Sequence, residues 1–233
     1  MTALALTSAK PYRGIGMEGF IAKWYANLTR NDLGEFRALA RRISPQLPAG
    51  ADVLEVAPGP GYFAIELAKR GGDYRVTGLD ISRTFVEIAR RNAAEAQVEI
   101  DFRRGNASGM PFQRESFDFV LCRAAFKNFS QPLAALREMH RVLKPGGRAL
   151  IIDLRKDASI DEITQAVDQM KLGAANAALT RMTFRFMLLR RAYTKQDFER
   201  MASETRFHRA DIQESGIGLE ALLTKSPICV HSL

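Results

Sequence analysis

Between Asp52 and Leu154 the chain alternates strand-like and helix-like segments, and this alternation leaves few folds open. Residues 53–56 form a short β-type run, and 62–70 have helical spacing that stops at Gly71-Gly72. Residues 74–79 are strand-like again. Ser82 then offers a hydroxyl as N-cap to a helix that turns Phe85, Ile88 and Ala89 inward. A third strand alternates over 98–103. Residues 117–122 are apolar except for Asp118, the pattern of a strand covered on both faces. Ser130 is placed to cap a helix from about 132 to 143, ended by Lys144-Pro145-Gly146-Gly147, and 148–154 form a fifth strand. Helices between successive strands require crossovers. The expectation is an α/β fold, a doubly wound, mostly parallel seven-stranded sheet with helices on both faces.

Two regions depart from the alternation. Residues 1–50 are read as a loosely attached N-terminal helical lid, with a loop at 12–16, helical spacing over 17–28 and 33–43, and breaks at Pro45 and Pro48. The domain proper then runs over 51–233. A helical cap is inserted at about 157–192, opened by a Ser159/Glu162 capping box and rich in Met and Phe from Met170 to Leu189. A helix over 195–203 and two strands, at about 207–213 and 219–225, complete the sheet.

With 233 residues the chain suits one such domain. Its longest uncharged run, 56–65, is too short to span a bilayer, and no signal peptide is read at the N-terminus. Only Cys122 and Cys229 occur, so a reducing cytoplasm is the expected compartment. The net charge is +8, and 169–196 contain Lys171, Arg181, Arg185, Arg190, Arg191 and Lys195 without an acid. That basic cap keeps open an RNA- or membrane-associated binding protein as an alternative.

The chemistry centres on Glu55-Val56-Ala57-Pro58-Gly59-Pro60-Gly61, between a strand and a helix. Glycines there let a ligand approach the backbone, and the helix start offers free N–H groups. Asp80 closes the next strand, where a carboxylate can accept both hydroxyls of a ribose. The spacing from Gly59 to Ala64 also fits a dinucleotide fingerprint, so a nicotinamide-dependent oxidoreductase is a second alternative. Against it, Glu55 puts a negative charge where pyrophosphate would lie. A ligand carrying an ammonium and a sulfonium suits that carboxylate better.

These segments resemble the class I S-adenosylmethionine-dependent methyltransferases. Val53 to Gly61 resembles their first motif, Gly78-Leu79-Asp80-Ile81-Ser82 their second strand, and Gly105-Asn106-Ala107 with Met110-Pro111-Phe112 the segment that follows the third. Phe117 to Cys122 is similar to the fourth strand, and Leu136 to Gly147 to the helix and turn before the fifth. Ala125-Phe126-Lys127-Asn128-Phe129 is similar to a stretch of the quinone-biosynthesis C-methyltransferases, with Lys127 in place of an arginine. The resemblance implies S-adenosylmethionine as cofactor. Glu55, Ala57, Gly59 and Gly61 would then hold its methionine part, Asp80 the ribose, Ile81 the adenine face, and Asn106 with Ala107 the adenine edge. Arg123 would line the methionine side. Ala57 stands where the family has glycine, which the turn tolerates if its φ is negative, and Asn106 replaces an aspartate.

The implied reaction is methyl transfer to a small, hydrophobic or aromatic metabolite at oxygen, carbon or nitrogen. Such a displacement needs positioning, and a base only for acceptors that carry a proton. Lys127, Asp153, Tyr12 and Tyr25 are the candidate bases, with Tyr12, Trp24, Phe126, Met182 and Phe186 as candidate substrate contacts. His140 is expected to face solvent, and the spacing of the three histidines gives no metal site. No N-P-P-Y signature follows Cys122, which argues against nucleic acid as substrate. Monomer and homodimer both stay open.

Overall fold

The computed structural model describes residues 12–13, 16–171 and 173–227. Cys229 and His231 lie outside them. Seven strands, β1 (Asp52–Val56), β2 (Arg75–Asp80), β3 (Asp101–Arg104), β4 (Phe117–Arg123), β5 (Leu143–Leu154), β6 (Asp211–Ser215) and β7 (Gly218–Thr224), form one sheet. Their order is β3-β2-β1-β4-β5-β7-β6. The first five pair in parallel, and β7 is antiparallel to both its neighbours. The doubly wound sheet expected from the sequence is the fold observed.

Residues on adjacent positions of β1 and β4 feed two separate cores. Leu54, Val56, Val120 and Cys122 pack with Leu136, Met139 and Phe198 on one face. Val53, Phe119 and Leu121 pack with Phe36, Phe63 and Leu67 on the other. The covering helices are α1 (Gly19–Thr29), α2 (Leu33–Ile43), α3 (Tyr62–Ala68), α4 (Arg83–Glu95), α5 (Pro132–Val142) and α8 (Lys195–Ser203). Ser82 caps α4 as expected, its hydroxyl accepting the Phe85 N–H at 3.1 Å. Thr194 and Asp197 form a capping box on α8.

Several sequence expectations shift. Helix α2 is not loosely attached: Phe36, Leu39, Ala40 and Ile43 recur at helical spacing and are buried in the same core as α3. Ser130 does not cap α5. Gln131 occupies that position without a side-chain bond, and the buried Ser130 hydroxyl has no partner. Strand β3 starts three residues late, at Asp101, while β5 begins at Leu143 and takes in the Lys144–Gly147 turn. His140 does not face open solvent. Its ring packs edge-on against Phe207, 4.9 Å between centroids, and burial among Lys225, Arg206, His208 and Arg114 pushes its pKa down to about 4.

The cap follows β5. It comprises α6 (Ile160–Gln169), opened by the Ser159/Glu162 capping box, then α7 (Ala174–Thr183) and a π-helical turn (Phe184–Leu188). Ile163, Val167, Ala177 and Leu189 form its own small core against Leu154 and Ile217. Strand order reverses between β1 and β4, so a crevice opens beyond their carboxyl ends, where α/β sheets bind ligands.

Entry into β5 is sterically tight. A Cβ at Gly147 would stand 2.9 Å from the Lys144 carbonyl oxygen and 3.0 Å from that of Asp118. Neither backbone group can swing away. Gly147→Ala is therefore expected to lower unfolding stability by about 1–3 kcal/mol, the usual penalty for overpacking. Urea denaturation measures it, and an unchanged midpoint would contradict the tight entry.

Candidate functional site

The turn after β1 carries two features that an ordinary connection avoids. Ala57 adopts φ +57° and Gly61 φ +80°, both left-handed. The condition set on Ala57, a negative φ, is therefore not met. The Ala57 N–H donates to the Leu79 carbonyl across β2 at 2.8 Å, so pairing with the neighbouring strand holds it in a conformation that costs an L-residue about 1–2 kcal/mol. Gly61 has no alternative, since a Cβ there would lie 2.7 Å from the Phe102 ring and 3.0 Å from Ala89.

Two buried carboxylates organise this turn. Glu55 is 3% exposed, and its Oε2 accepts the Ala64 N–H in the first turn of α3 at 3.1 Å. No ion pair to it is formed among the described residues. Burial drives its pKa up to about 8, opposed by the Ala64 hydrogen bond and the Arg123 charge. Asp80 accepts the Gly59 N–H at 3.0 Å and the Ser82 N–H at 2.8 Å, tying the β1 turn to the end of β2. Burial also raises its pKa, to about 6, against those same hydrogen bonds. Ile81 is half-buried beside it. Asn106 and Ala107 follow β3, where the Asn106 amide oxygen accepts the Ser108 N–H at 2.9 Å and leaves its NH2 free for a ligand.

Arg123 ends β4. It pairs with Glu35 at 2.8 Å and stacks over the Phe36 ring at 4.5 Å, which fixes α2 to the crevice. Lys127 and Asp153, anticipated as bases, are instead each other's partner. The Lys127 ammonium donates to Asp153 Oδ1 and to the Ala124 carbonyl, both at 2.7 Å, while Asp153 Oδ2 accepts the Lys127 N–H at 2.9 Å. Their side chains are 6% and 2% exposed. Bonded to each other and to the Ala124 carbonyl, the pair locks the ends of β4 and β5 together. Phe126 is likewise no substrate contact: it is fully buried against Phe129, Tyr193 and Phe198. Trp24, Met182 and Phe186 are 56%, 59% and 46% exposed.

Tyr12 and Tyr25 stand within electrostatic reach of one another. Tyr12 bridges the Phe129 backbone, and its phenol feels Tyr25, Asp80 and Asp153. Tyr25 meets the Phe85 ring edge-on at 5.9 Å and feels Arg123 and Asp153. Burial raises both phenol pKa values, so each is a hydrogen-bond donor near neutrality. Sequence reasoning missed Glu18 here. Its carboxylate accepts the Arg83 and Thr84 N–H groups and the Thr84 hydroxyl, at 2.9, 3.0 and 2.6 Å, so the chain entering α1 is latched onto the start of α4. No local pattern in the sequence marks a residue that acts 65 positions away.

Residues 54–151 match the profile of a family described as Methyltransferase domain. That central part of the chain is similar to methyltransferase domains. The chain is 40% identical over 128 residues to the demethylmenaquinone methyltransferase of Deinococcus radiodurans and 38% identical over 106 residues to that of Listeria monocytogenes. Those matches take in 55% and 45% of this chain and 52% and 45% of the relatives, so the chain spans about half the length of the curated relatives it matches. Among solved structures, a candidate S-adenosyl-L-methionine-dependent methyltransferase from Methanococcus maripaludis superposes with a TM-score of 0.75 at 20% identity, over 95% of this chain and all of that one. The plantazolicin methyltransferase BpumL, solved with SAH, gives 0.66 at 15% identity, over 88% and 90%.

Glu55 makes the domain's stability depend on pH. Its folded pKa of about 8 lies above the unfolded value, so its contribution is fully present below pH 4.5 and is lost as pH rises through 8. Glu55→Gln should therefore melt higher than the native protein at pH 9, with the difference shrinking toward pH 5. Parallel melting curves across that range would disprove the assignment. In Lys127→Met, Asp153 keeps its charge without its partner, and a loss of about 3–5 kcal/mol is expected in denaturant unfolding. A loss under 1 kcal/mol would mean the pair is solvated.

Proposed function

We propose that the chain transfers a methyl group from S-adenosylmethionine to a small apolar acceptor, with a quinone-type aromatic ring as the favoured class. The observation that carries the reading is Glu55, a carboxyl group buried at a strand tip with no ion-pair partner among the described residues. A ligand ammonium would draw the proton off Glu55 and pair with the carboxylate, whereas a pyrophosphate would find no charge partner there. That is why the nicotinamide alternative fits less well. Asp80 would hold the ribose hydroxyls, Ile81 and the Asn106–Ala107 segment the adenine, and the open backbone at Gly59 the amino-acid part.

The bound cofactor supplies an electrophilic methyl on sulfur. The residues of this chain would do the positioning: Glu55 and Asp80 fix the two ends of the ligand, and Tyr12 and Tyr25 close over it and exclude water. Neither phenol is poised as a base. An acceptor that is itself acidic, such as a hydroxylated quinone ring, fits a site without a free one. The quinone preference draws on the demethylmenaquinone methyltransferase relatives and on the stretch from Ala125 to Phe129. A cytoplasmic setting belongs to the same proposal, in keeping with the buried thiol of Cys122.

Calorimetric titration with S-adenosylhomocysteine tests the cofactor. Asp80→Ala should weaken binding by about 1.5–3 kcal/mol, roughly 10- to 150-fold, the worth of hydrogen bonds to a charged group. Unchanged affinity, or a preference for NAD, would overturn the reading.

A further inference from the structure

The large apolar side chains that the described residues expose are confined to two places. Phe20, Ile21, Trp24 and Leu28 stand on α1, at 82%, 39%, 56% and 51% exposure. Ile160, Met170, Leu179, Met182, Phe186 and Met187 stand on the cap, between 46% and 64% exposed. Elsewhere the surface carries none. On α1 the four recur at i, i+1, i+4 and i+8, a stripe along one face, while Ala22 and Ala26 on the opposite face are buried against Phe85 and Ile88.

Both elements sit at the same edge of the sheet. Helix α1 lies across the first turns of α3 and α4, since the Tyr62 hydroxyl donates to the Ala26 carbonyl and the Gly19 N–H to Thr84 Oγ1, both at 3.0 Å. The cap grows from the end of β5 and packs on Ile217, in the turn between β6 and β7. Between them, Arg13 donates to the Asn128 carbonyl at 2.7 Å and to the Tyr193 hydroxyl at 3.3 Å. The exposed apolar side chains therefore rim the crevice.

The charge beside them is mixed with a basic excess: Asp161, Glu162 and Asp168 lie on α6, where Asp168 pairs with Arg181 at 2.7 Å, and Glu18 and Asp32 bracket α1. Residues 19–31 contain Lys23 and Arg30, and 169–196 six further cations, with no acid in either segment. Arg185 and Arg190 lie over the Phe186 ring at 5.1 and 5.7 Å, so cation and apolar surface share one patch. A second copy of this chain would set these cations against their like. An apolar stripe flanked by cations and carrying a tryptophan is the composition of a helix lying in the headgroup layer of an anionic bilayer.

We infer that this rim docks on an anionic lipid surface, with α1 and the cap inserted side by side and the crevice opening toward the hydrocarbon. The inference rests in part on the proposed function, because an apolar acceptor could then enter from the bilayer without crossing water. Docking itself requires neither cofactor nor turnover.

Trp24 is the chain's single tryptophan and reports directly on the rim. With vesicles of phosphatidylglycerol its emission should shift to the blue and the protein should float with the lipid. Vesicles of phosphatidylcholine alone should bind at least tenfold less, and 0.5 M salt should weaken binding to the anionic ones. Phe20→Glu with Leu179→Glu, both outside the proposed ligand contacts, should cut partitioning about tenfold or more, as loss of buried apolar area demands. The same variant should keep S-adenosylhomocysteine binding, which separates a failed docking surface from a failed cofactor site. No emission shift with anionic vesicles, equal binding to both lipids, or full partitioning of the double variant would each overturn the inference. So would a shift that depends on protein concentration and not on lipid, which would assign the rim to self-association.

Discussion

Two carboxylates taken out of water at the carboxyl ends of β1 and β2 set the geometry of the whole crevice. Glu55 holds the first turn of α3 through Ala64, and Asp80 holds both Gly59 and Ser82. Each accepts backbone N–H groups in place of lost water. Neither receives a counter-ion among the described residues, and burial pushes both above the usual carboxylate range. A fold optimised for stability alone would put an amide or an apolar residue at Glu55. Keeping a carboxylate there stabilises the folded state only when something cationic arrives, which makes the site selective through its own discomfort.

Strain is concentrated at the same edge. Ala57 and Ala124, the residues that follow β1 and β4, both have left-handed backbones, and each N–H is bound to a neighbouring strand, Ala57 to Leu79 and Ala124 to Ile152. Parallel pairing thus continues one residue past the regular strand on either side of the switch point. The Ala124 carbonyl is thereby turned toward the Lys127 ammonium, which links the strained turn to the buried pair with Asp153. That pair contributes shape more than stability: desolvating two charges offsets most of their attraction, but only one arrangement of the β4 and β5 ends satisfies both.

What could be read from the sequence follows the range of the forces involved. Strand and helix identities rest on local periodicity, so the sheet, the Ser82 cap and the Ser159/Glu162 box were legible without coordinates. Glu55, Gly61 and Asp80 were legible as a group because strand, turn and acid lie close together in the chain. Failures came where distant residues decide. Ser130 was a plausible cap by type, yet the backbone places Gln131 at that position. Lys127 looked available until Asp153, 26 residues on, was seen to neutralise it. Phe126 was assigned to the substrate for its position after β4, but three other aromatic rings enclose it. Charge and aromaticity can be counted in a sequence; whether a side chain is already satisfied cannot.

The lid and the cap meet opposite demands. Their inner faces must close a crevice lined with buried charge, which requires apolar side chains that exclude water and so strengthen the attraction of Glu55 for a cation. Their outer faces, on an ordinary protein of this kind, would be polar. Here they are apolar and basic, and this second departure has a physical link to the first. Helix α1 is held by Glu18 and Gly19 at the start of α4, by the Ala26–Tyr62 bond and by Ala22 and Ala26 against Phe85 and Ile88, and covering Phe20 and Trp24 would add to that ordering. An interface that buries those side chains would further order the helix that carries Tyr25, whose phenol feels Arg123 and Asp153. Surface binding and closure of the site would then be two effects of one helix coming to rest.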